Sequence, residues 1–478
     1  MTAKGMMKKS HMLLLCLAAM CRPSAAQTPV DLDHVRAQVK VASADPSRPR
    51  FHFVPPAKEM IDVWGGMRFR DAYRLFYDLN LTAAQRMGGS FMQLETRDFI
   101  RWTHLPPAQH PDCAAGELRL NDGCVLIRDD GTPIMYLTRV FADGRDREHV
   151  ALAGDRDMMT FRRLGREGAV TLENHGGPRY WGGWSDVFFF QEAGRRFMVI
   201  SKCVRADNGR AEIPIYESDD ASCLKWRYLG TFFEDSGEVV NFTQVDGKWV
   251  LIYCPYGNPV YHVGDFDVQT AKFTSRKKGM LSYGYSCQGD ELNLMSRGFY
   301  ATSVFACPAG RRVITAWISG FLNPRGWDGC IAIPRELTLS EDMAVKMLPV
   351  DELKGFRRNA RKVANGTFDI TGSLDLELEF RGALDIRVGR SIAIGVGRRV
   401  ANVNETAMPV KDPRRARILV DVSTVELFLD DGRWSLTRAV PMVRPDDRLK
   451  ISGDAVGTLY DMPSVEVADP YGVFRVNN

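Results

Sequence analysis

From Arg50 to about Val350 the chain runs as short apolar, β-branched and aromatic stretches separated by Gly, Asp and Pro. Pro133-Ile134-Met135-Tyr136-Leu137, Arg196-Phe197-Met198-Val199-Ile200, Trp249-Val250-Leu251-Ile252-Tyr253 and Arg312-Val313-Ile314-Thr315-Ala316-Trp317 are examples. Each follows a hairpin signal: Asp129-Asp130-Gly131, Glu192-Ala193-Gly194, Asp246-Gly247-Lys248 and Pro308-Ala309-Gly310. Short antiparallel strands at recurring spacing, with little helical periodicity, predict a β-propeller. From Asn365 the pattern changes to strict alternation, as in Leu374-Asp375-Leu376-Glu377-Leu378-Glu379-Phe380 and Ile418-Leu419-Val420-Asp421-Val422. Alternation of period two means half-buried strands, and here predicts a β-sandwich. Between the two, residues 351–364 (DELKGFRRNARKVA) are charged and read as a linker or a lone helix.

The boundaries that follow are a signal peptide over 1–26, a polar, unpatterned lead-in over 27–49, a propeller over 50–350, the linker over 351–364 and a sandwich over 365–478. A chain of 478 residues exceeds one compact core, so two domains are expected. The signal reading rests on Lys4, Lys8 and Lys9 ahead of the apolar run from Met12 to Met20, followed by Ser24-Ala25-Ala26. A lipid anchor at Cys21 is disfavoured, because Met20 is too large for the small residue expected before a lipidated cysteine. The expected location is therefore secreted or periplasmic. No other apolar run approaches membrane-spanning length.

Charge narrows the partners. The chain has 63 basic and 59 acidic residues, and the signal carries Lys4, Lys8, Lys9 and Arg22 with no acid. Removing those four basic residues leaves 59 against 59. A near-neutral chain argues against a nucleic-acid or membrane-surface partner. Cys16 and Cys21 leave with the signal; Cys113, Cys124, Cys203, Cys223, Cys254, Cys287, Cys307 and Cys330 remain. An even number permits disulfides in an exported protein, and buried free thiols are the equal alternative. With no Cys-x-x-Cys pair, a zinc site is not expected.

The stretch with the most chemical content is Pro55 to Asn80, PPAKEMIDVWGGMRFRDAYRLFYDLN. Asp62 stands among Met60, Ile61, Val63 and Trp64, ahead of a Gly65-Gly66 bend and the apolar strand Tyr73-Arg74-Leu75-Phe76-Tyr77. An acid between apolar neighbours is partly desolvated when packed, which sets up a nucleophile or general acid. The plain alternative is a turn aspartate that caps backbone amides. Two further acids precede predicted strands. Asp186 lies in Trp184-Ser185-Asp186-Val187-Phe188-Phe189-Phe190, and Glu238 in Gly237-Glu238-Val239-Val240-Asn241-Phe242.

These segments resemble, in order, the motifs of glycoside hydrolase family 32, the invertase, inulinase and levanase family. Pro55, Pro56, Met60, Asp62, Gly65, Tyr73, Leu75, Phe76, Tyr77 and Asn80 match its N-terminal signature P-P-x-G-W-M-N-D-P-N-G…Y-H-L-F-Y-Q-Y-N. Asp186 falls on the Asp of R-D-P-K-V-F, and Glu238 on the Glu of E-C-P-D-F-F, with Asp246-Gly247-Lys248-Trp249-Val250-Leu251 following as D-G-K-W-V-L. Thr96 to Trp102, Tyr261 to Asp267 and Trp327 to Leu337 also resemble family segments, and residues 418–437 (ILVDVSTVELFLDDGRWSLT) resemble its sandwich signature.

The resemblance implies an all-β fold, a five-bladed β-propeller followed by a C-terminal β-sandwich. It implies retaining hydrolysis with Asp62 as nucleophile, Glu238 as acid/base and Asp186 as transition-state stabiliser. Such a pair of carboxyl groups stands about 5–5.5 Å apart across the scissile bond. No cofactor is called for, since the chemistry is proton transfer and carboxylate attack, and no metal is expected. The implied partner is a carbohydrate; no feature sets the oligomeric state.

The sugar-binding shell departs from the family. Ile61 replaces the Asn before the nucleophile, Val63-Trp64 the Pro-Asn after it, and Asp78 the Gln of F-Y-Q. Phe91-Met92-Gln93 replaces W-G-H, Asn121-Asp122-Gly123-Cys124 replaces F-S-G-S, and Ser185 replaces the Arg of R-D-P. The substrate-binding candidates are thus Ile61, Trp64, Asp78, Phe91, Asn121, Asp122 and Ser185. The gained acids Asp78 and Asp122 are read as hydroxyl ligands or as like charges that raise a catalytic carboxyl's proton affinity, with merely solvated side chains as the plain alternative; a metal between them has no ligand motif. Trp64, Phe91, Trp181 and Trp184 form a candidate aromatic floor, with core packing as the alternative. Arg179 is the candidate substitute for the lost guanidinium. The family points to a β-fructofuranoside. A different furanoside, such as an arabinofuranoside, and a non-catalytic sugar-binding propeller are the alternatives.

Overall fold

In a computed structural model, residues 32–80, 89–181, 183–218, 220–284, 298–444 and 446–475 are described. The expected signal peptide and Cys287 lie outside them. Helix α1 (Leu32–Ser43) opens the described chain inside the segment read as unpatterned.

Five antiparallel sheets follow in order, one per blade. Their innermost strands are Lys58–Phe69, Glu117–Ile127, Ser185–Glu192, Glu238–Val245 and Phe299–Ala306. Each sheet runs outward by hairpins, so local connections carry most of the pairing. The ring closes between its ends. Lys58 and Glu59 of blade 1 pair in parallel with Trp327 and Asp328, which come from the blade 5 segment, and Phe53 bridges Ile331. The innermost strands remain sheet edges, short and turned toward the propeller axis, where neighbouring blades protect them.

The five innermost strands share one irregularity. Each is bulged near its start against its neighbour: between Ile61 and Val63, Asn121 and Cys124, Ser185 and Val187, Glu238 and Asn241, and Tyr300 and Ser303. Four of the bulges hold a non-glycine residue in the left-handed region: Asp62, Asp186, Val239 and Ala301. Such backbone costs about 1–3 kcal/mol per residue and persists only where the surroundings hold it. A bulge breaks the in-out alternation and re-aims the side chain beside it. Here all five aim at the same end of the propeller axis.

A nine-stranded arrangement from Arg358 to Asp461 forms the second domain, with its own core of Leu376, Ile386, Ile394, Val420, Leu427 and Leu436 among others. Its first strand, Arg358–Asp369, begins ahead of the expected boundary at Asn365, and the expected linker is a 3₁₀ turn over Asp351–Phe356 running into that strand. The charged residues of this stretch lie on an exposed strand face, which is why they read as a linker.

The domains meet through a buried polar cluster. Asp421 accepts the backbone N–H groups of Arg50, Phe51 and His52 at 2.8–2.9 Å, and its Oδ2 is 2.8 Å from His52 Nδ1. His52 Nε2 lies 2.9 Å from Glu426 Oε1. Glu426 also accepts from Ile333 N–H at 2.9 Å and from the Arg335 guanidinium at 2.8 Å. Arg335 is sandwiched over the rings of Phe299 and Phe428. Two carboxylates of the second domain are thereby satisfied by two cations of the first, as buried charges require.

The seven described cysteines, Cys113, Cys124, Cys203, Cys223, Cys254, Cys307 and Cys330, are unpaired. Six of them are buried, five in strands or at their ends and Cys223 in the turn that follows Ser218. The even count that permitted disulfides resolves, over the described residues, into free thiols.

Candidate active site

The bulged ends of blades 1, 3 and 4 carry Asp62, Asp186 and Glu238 to one funnel. The carboxyl of Asp186 is 3% exposed and well held. Its Oδ1 accepts from Ser185 Oγ at 2.8 Å and its Oδ2 from the Val239 N–H at 3.2 Å, which ties blade 3 to the bulge of blade 4. Glu238 accepts from Tyr300 Oη at 2.7 Å on Oε2, and Lys202 Nζ contacts Oε1. The same ammonium lies 3.5 Å from Asp186 Oδ2. One lysine thus bridges two of the three acids.

Asp62 is half-buried by its exposed area, because the funnel opens above it, yet protein surrounds it on all other sides. Burial raises its proton affinity, the charges of Glu238 and Asp186 raise it further, and Lys202 and Arg119 oppose them. Asp78 and Asp122 lie below it. Burial is the main cause that lifts both carboxyls well above the usual range, and the neighbouring acids add to it. Asp78 accepts from Trp64 Nε1 at 3.1 Å. Asp122 is 3% exposed and neither of its oxygens has a protein partner. It lines a cavity of about 10 Å³ on the axis with Trp64, Asp186, Asn241 and Thr302, room for about one water. So many acids in one low-dielectric funnel cannot all ionise. Held neutral, Asp78 and Asp122 present O–H donors as well as acceptors, a chemistry suited to hydroxyl groups.

The remaining candidates divide. Ser185 is fully buried and serves Asp186; Ile61 is buried beside Asp62; Asn121 is half-buried on the bulge of blade 2. The aromatic floor is corrected. Trp64 stacks on Phe76 and meets Phe91 edge-on, and neither Trp64 nor Phe91 has an open face for a sugar ring. Trp184 is buried against His149 and His175. These rings wedge adjacent blades together, which is core packing. Trp181 is 52% exposed. Arg179 is also corrected: it is 62% exposed and pairs with Asp146 at 2.8 Å, away from the acids.

Five residues escaped the sequence reading: Lys202, Arg119, Tyr300, Tyr256 and Arg147. Tyr300 sits on the bulge of blade 5 and holds Glu238. Tyr256 is 52% exposed, with its hydroxyl at Glu238 and near Lys202. Arg147 is anchored to the Gly183 carbonyl and faces Asp186, Glu238 and Tyr256. The one signal for Lys202 is a lone cation that ends the apolar run Phe197 to Ser201, opposite the Asp186 motif. No group of three or more acid, His or Cys side chains among the described residues is arranged to hold a metal ion.

Comparison with known proteins gives this geometry a family. The chain is 22% identical over 450 residues to a sucrose-6-phosphate hydrolase of Bacillus subtilis, covering 85% of this chain and 91% of that protein. It is 24% identical over 471 residues to a levanase of the same organism, covering 82% and 66%. Among solved structures, a sucrose-6-phosphate hydrolase from Lactobacillus gasseri superposes with a TM-score of 0.78 at 20% identity, covering 91% and 96%. An exo-inulinase from Aspergillus awamori gives 0.72 at 16%, covering 88% and 99%. These likenesses carry the fold, a five-bladed propeller with an appended sandwich. The model of the Glycosyl hydrolases family 32 N-terminal domain matches residues 52–349. The chain belongs to glycoside hydrolase family 32 and is a glycosidic-bond hydrolase.

Proposed function

We propose that this protein is an exported retaining hydrolase of β-fructofuranosides, acting on a fructan or a fructo-oligosaccharide. The observation that carries the reading is the meeting of Asp62, Asp186 and Glu238 on three bulges at one funnel, with Glu238 held by Tyr300 and Lys202. In this reading Asp62 attacks the anomeric carbon while protonated Glu238 gives its proton to the leaving oxygen. Glu238 then takes a proton from the water that releases the sugar. Asp186, held by Ser185 and Val239, accepts from sugar hydroxyls as charge develops on the ring. Relatives named sucrose-6-phosphate hydrolase and levanase support a fructose unit at the cleaved bond. The N-terminal charged and apolar segment supports export.

The altered shell favours chains over sucrose. Without the amide and guanidinium of the family motif at positions 61 and 185, the pocket grips the terminal sugar through acids instead. Specificity built on hydrogen bonds is steep. The test is reducing-sugar release from levan, inulin, sucrose and arabinofuranosides, with product anomer followed by NMR. Cleavage of fructans with retention is expected, together with losses of several orders of magnitude in Asp62→Asn and Glu238→Gln. Activated leaving groups should partly rescue the first step in Glu238→Gln, and not in Asp62→Asn. Inversion of the anomer, or full activity in both variants, would refute the assignment. Cleavage of arabinofuranosides alone would move the substrate. Binding without cleavage by the parent would select the binding-propeller alternative.

A further inference from the structure

We propose that Lys202 is the positioning residue of the acid/base: its ammonium couples Glu238 to Asp186 and supplies, from the neighbouring strand, the cation that the family motif carries at position 185. The inference rests on the catalytic roles proposed above. Four observations support it.

The first is place. Ser185 pairs with Ser201 across the first hairpin of blade 3, so Lys202 follows directly on the residue opposite the vacated position. The second is reach. Lys202 has a left-handed backbone, φ 56°, unusual for a long side chain. That turn takes the side chain off the sheet and into the funnel, onto Glu238 Oε1 and Asp186 Oδ2. The third is fixation. Lys202 N–H donates to the Gly237 carbonyl at 2.9 Å, and its own carbonyl accepts from Trp184 N–H at 3.1 Å. Gly183 passes so close that a Cβ there would lie 1.7 Å from the Lys202 carbonyl oxygen. The backbone that carries the ammonium is therefore clamped between blades 3 and 4. The fourth is charge. Burial alone would discharge the amine, and the carboxylates of Asp186 and Glu238 outweigh it and keep it cationic.

A clamped cation has a defined effect on the two proton transfers. In the first step Glu238 loses its proton to the leaving oxygen as the glycosidic C–O bond breaks and the Asp62–carbon bond forms. The new Glu238 carboxylate is met at once by Lys202 on one oxygen and Tyr300 on the other. In the second step that carboxylate removes a proton from water as water displaces Asp62. Other charged or titratable groups facing Glu238 are Asp62 across the funnel, Asp186 beside it, Arg147 from blade 2, and the Tyr256 hydroxyl and the buried Cys254 thiol from blade 4. Lys202 is the cation in direct contact.

Taking away an opposite charge at contact moves a carboxyl's titration by about one to three pH units. In Lys202→Met the alkaline limb of the kcat/KM profile, which reads the proton on the general acid, should shift upward by that amount. kcat should fall by about 10- to 100-fold with KM changed less, as for a group that acts through general acid–base catalysis. The loss should persist on activated leaving groups, because deglycosylation still needs Glu238 as base. Lys202→Arg should restore the position of the limb, and methylammonium added to Lys202→Ala should restore part of kcat. Thermal unfolding checks that each variant is folded. The proposal is overturned if the limb of folded Lys202→Met stays where the parent's lies, or if neither Arg nor methylammonium restores anything. Retention of activity in Asp62→Asn would instead overturn the functional reading, through a residue that Lys202 does not touch.

Discussion

His52→Gln probes the junction between the domains. His52 is fully buried with a carboxylate on each ring nitrogen, Asp421 at 2.8 Å and Glu426 at 2.9 Å. Burial works against the imidazolium, and hydrogen bonds and charge from the two acids outweigh it, raising its titration from 6.5 to about 9. The protonated ring is favoured in the folded chain by about 3 kcal/mol. Because the folded value is raised, that stability is present in full below pH 6.5 and is lost as pH climbs through about 9. Glu426 is pulled down to about 2: burial opposes this, and Arg335 leads the partners that outweigh it, followed by His52. Its own contribution therefore stays constant across the same window. In His52→Gln at pH 6, two buried carboxylates lose a shared cation, which typically costs about 3–5 kcal/mol. At pH 9.5 the parent has lost most of the same interaction, so the difference between the two proteins should shrink by about 3 kcal/mol. The assay is denaturant unfolding of both proteins at pH 6, 7.5 and 9.5, followed by tryptophan fluorescence and by circular dichroism. A gap between the two proteins that does not change with pH would refute the ion-pair reading of this cluster.

Three more outcomes follow from the same geometry. Asp122→Asn removes a buried carboxyl with no partner; its folded titration is raised, so the parent loses stability as pH rises above the unfolded value, and the variant should melt higher at pH 8 and alike at pH 4. Gly183→Ala forces a Cβ against the Lys202 carbonyl, and should cost about 1–3 kcal/mol while lowering kcat through the displaced lysine; unchanged kinetics would contradict the clamp. Sucrose should be a poor substrate beside a fructan, with kcat/KM below about 10⁴ M⁻¹s⁻¹, and faster turnover would mean that Ile61 and Ser185 do not govern recognition.

The strands were legible because hairpin glycines and aspartates punctuate them, and alternation set the second domain apart. Helix α1 was not, since its polar sequence acquires an inward face only by packing Val35, Val39 and Ala42 onto the propeller core. The aromatic floor failed for a related reason. A tryptophan near an aspartate looks the same in sequence whether its ring faces a sugar or the core, and Trp64 stacks within its own blade on Phe76 while Trp184 packs on His149 of the preceding one. Lys202 stayed hidden because its meaning lies in its pairing: only the register of Ser185 with Ser201 shows that a cation has crossed to the adjacent strand.

The bulges explain why motif matching found the acids when periodicity could not. Five strands carry the same defect at the same height, but the residues that occupy it differ: Asp62, Asp122-Gly123, Asp186, Val239 and Ala301. Aspartate recurs on blades 1, 2 and 3, but Val239 and Ala301 take the position on blades 4 and 5, so residue type alone does not mark the repeat along the chain. Across all five blades the repeat is one of backbone geometry. Once a bulge re-aims the chain, any acid on it or beside it enters the funnel, whatever its neighbours. That is why Asp122, on the bulge of blade 2, joins the cluster around Asp62, where a serine or an amide would have left the charge balance untouched. Burial chiefly raises the gained acid's own proton affinity, Asp62, Asp78 and Asp186 raise it further, and Lys202 works in the opposite direction. The two gained acids are thus coupled to Asp62 and Asp186, so a change of charge at any of the four alters the protonation open to the others.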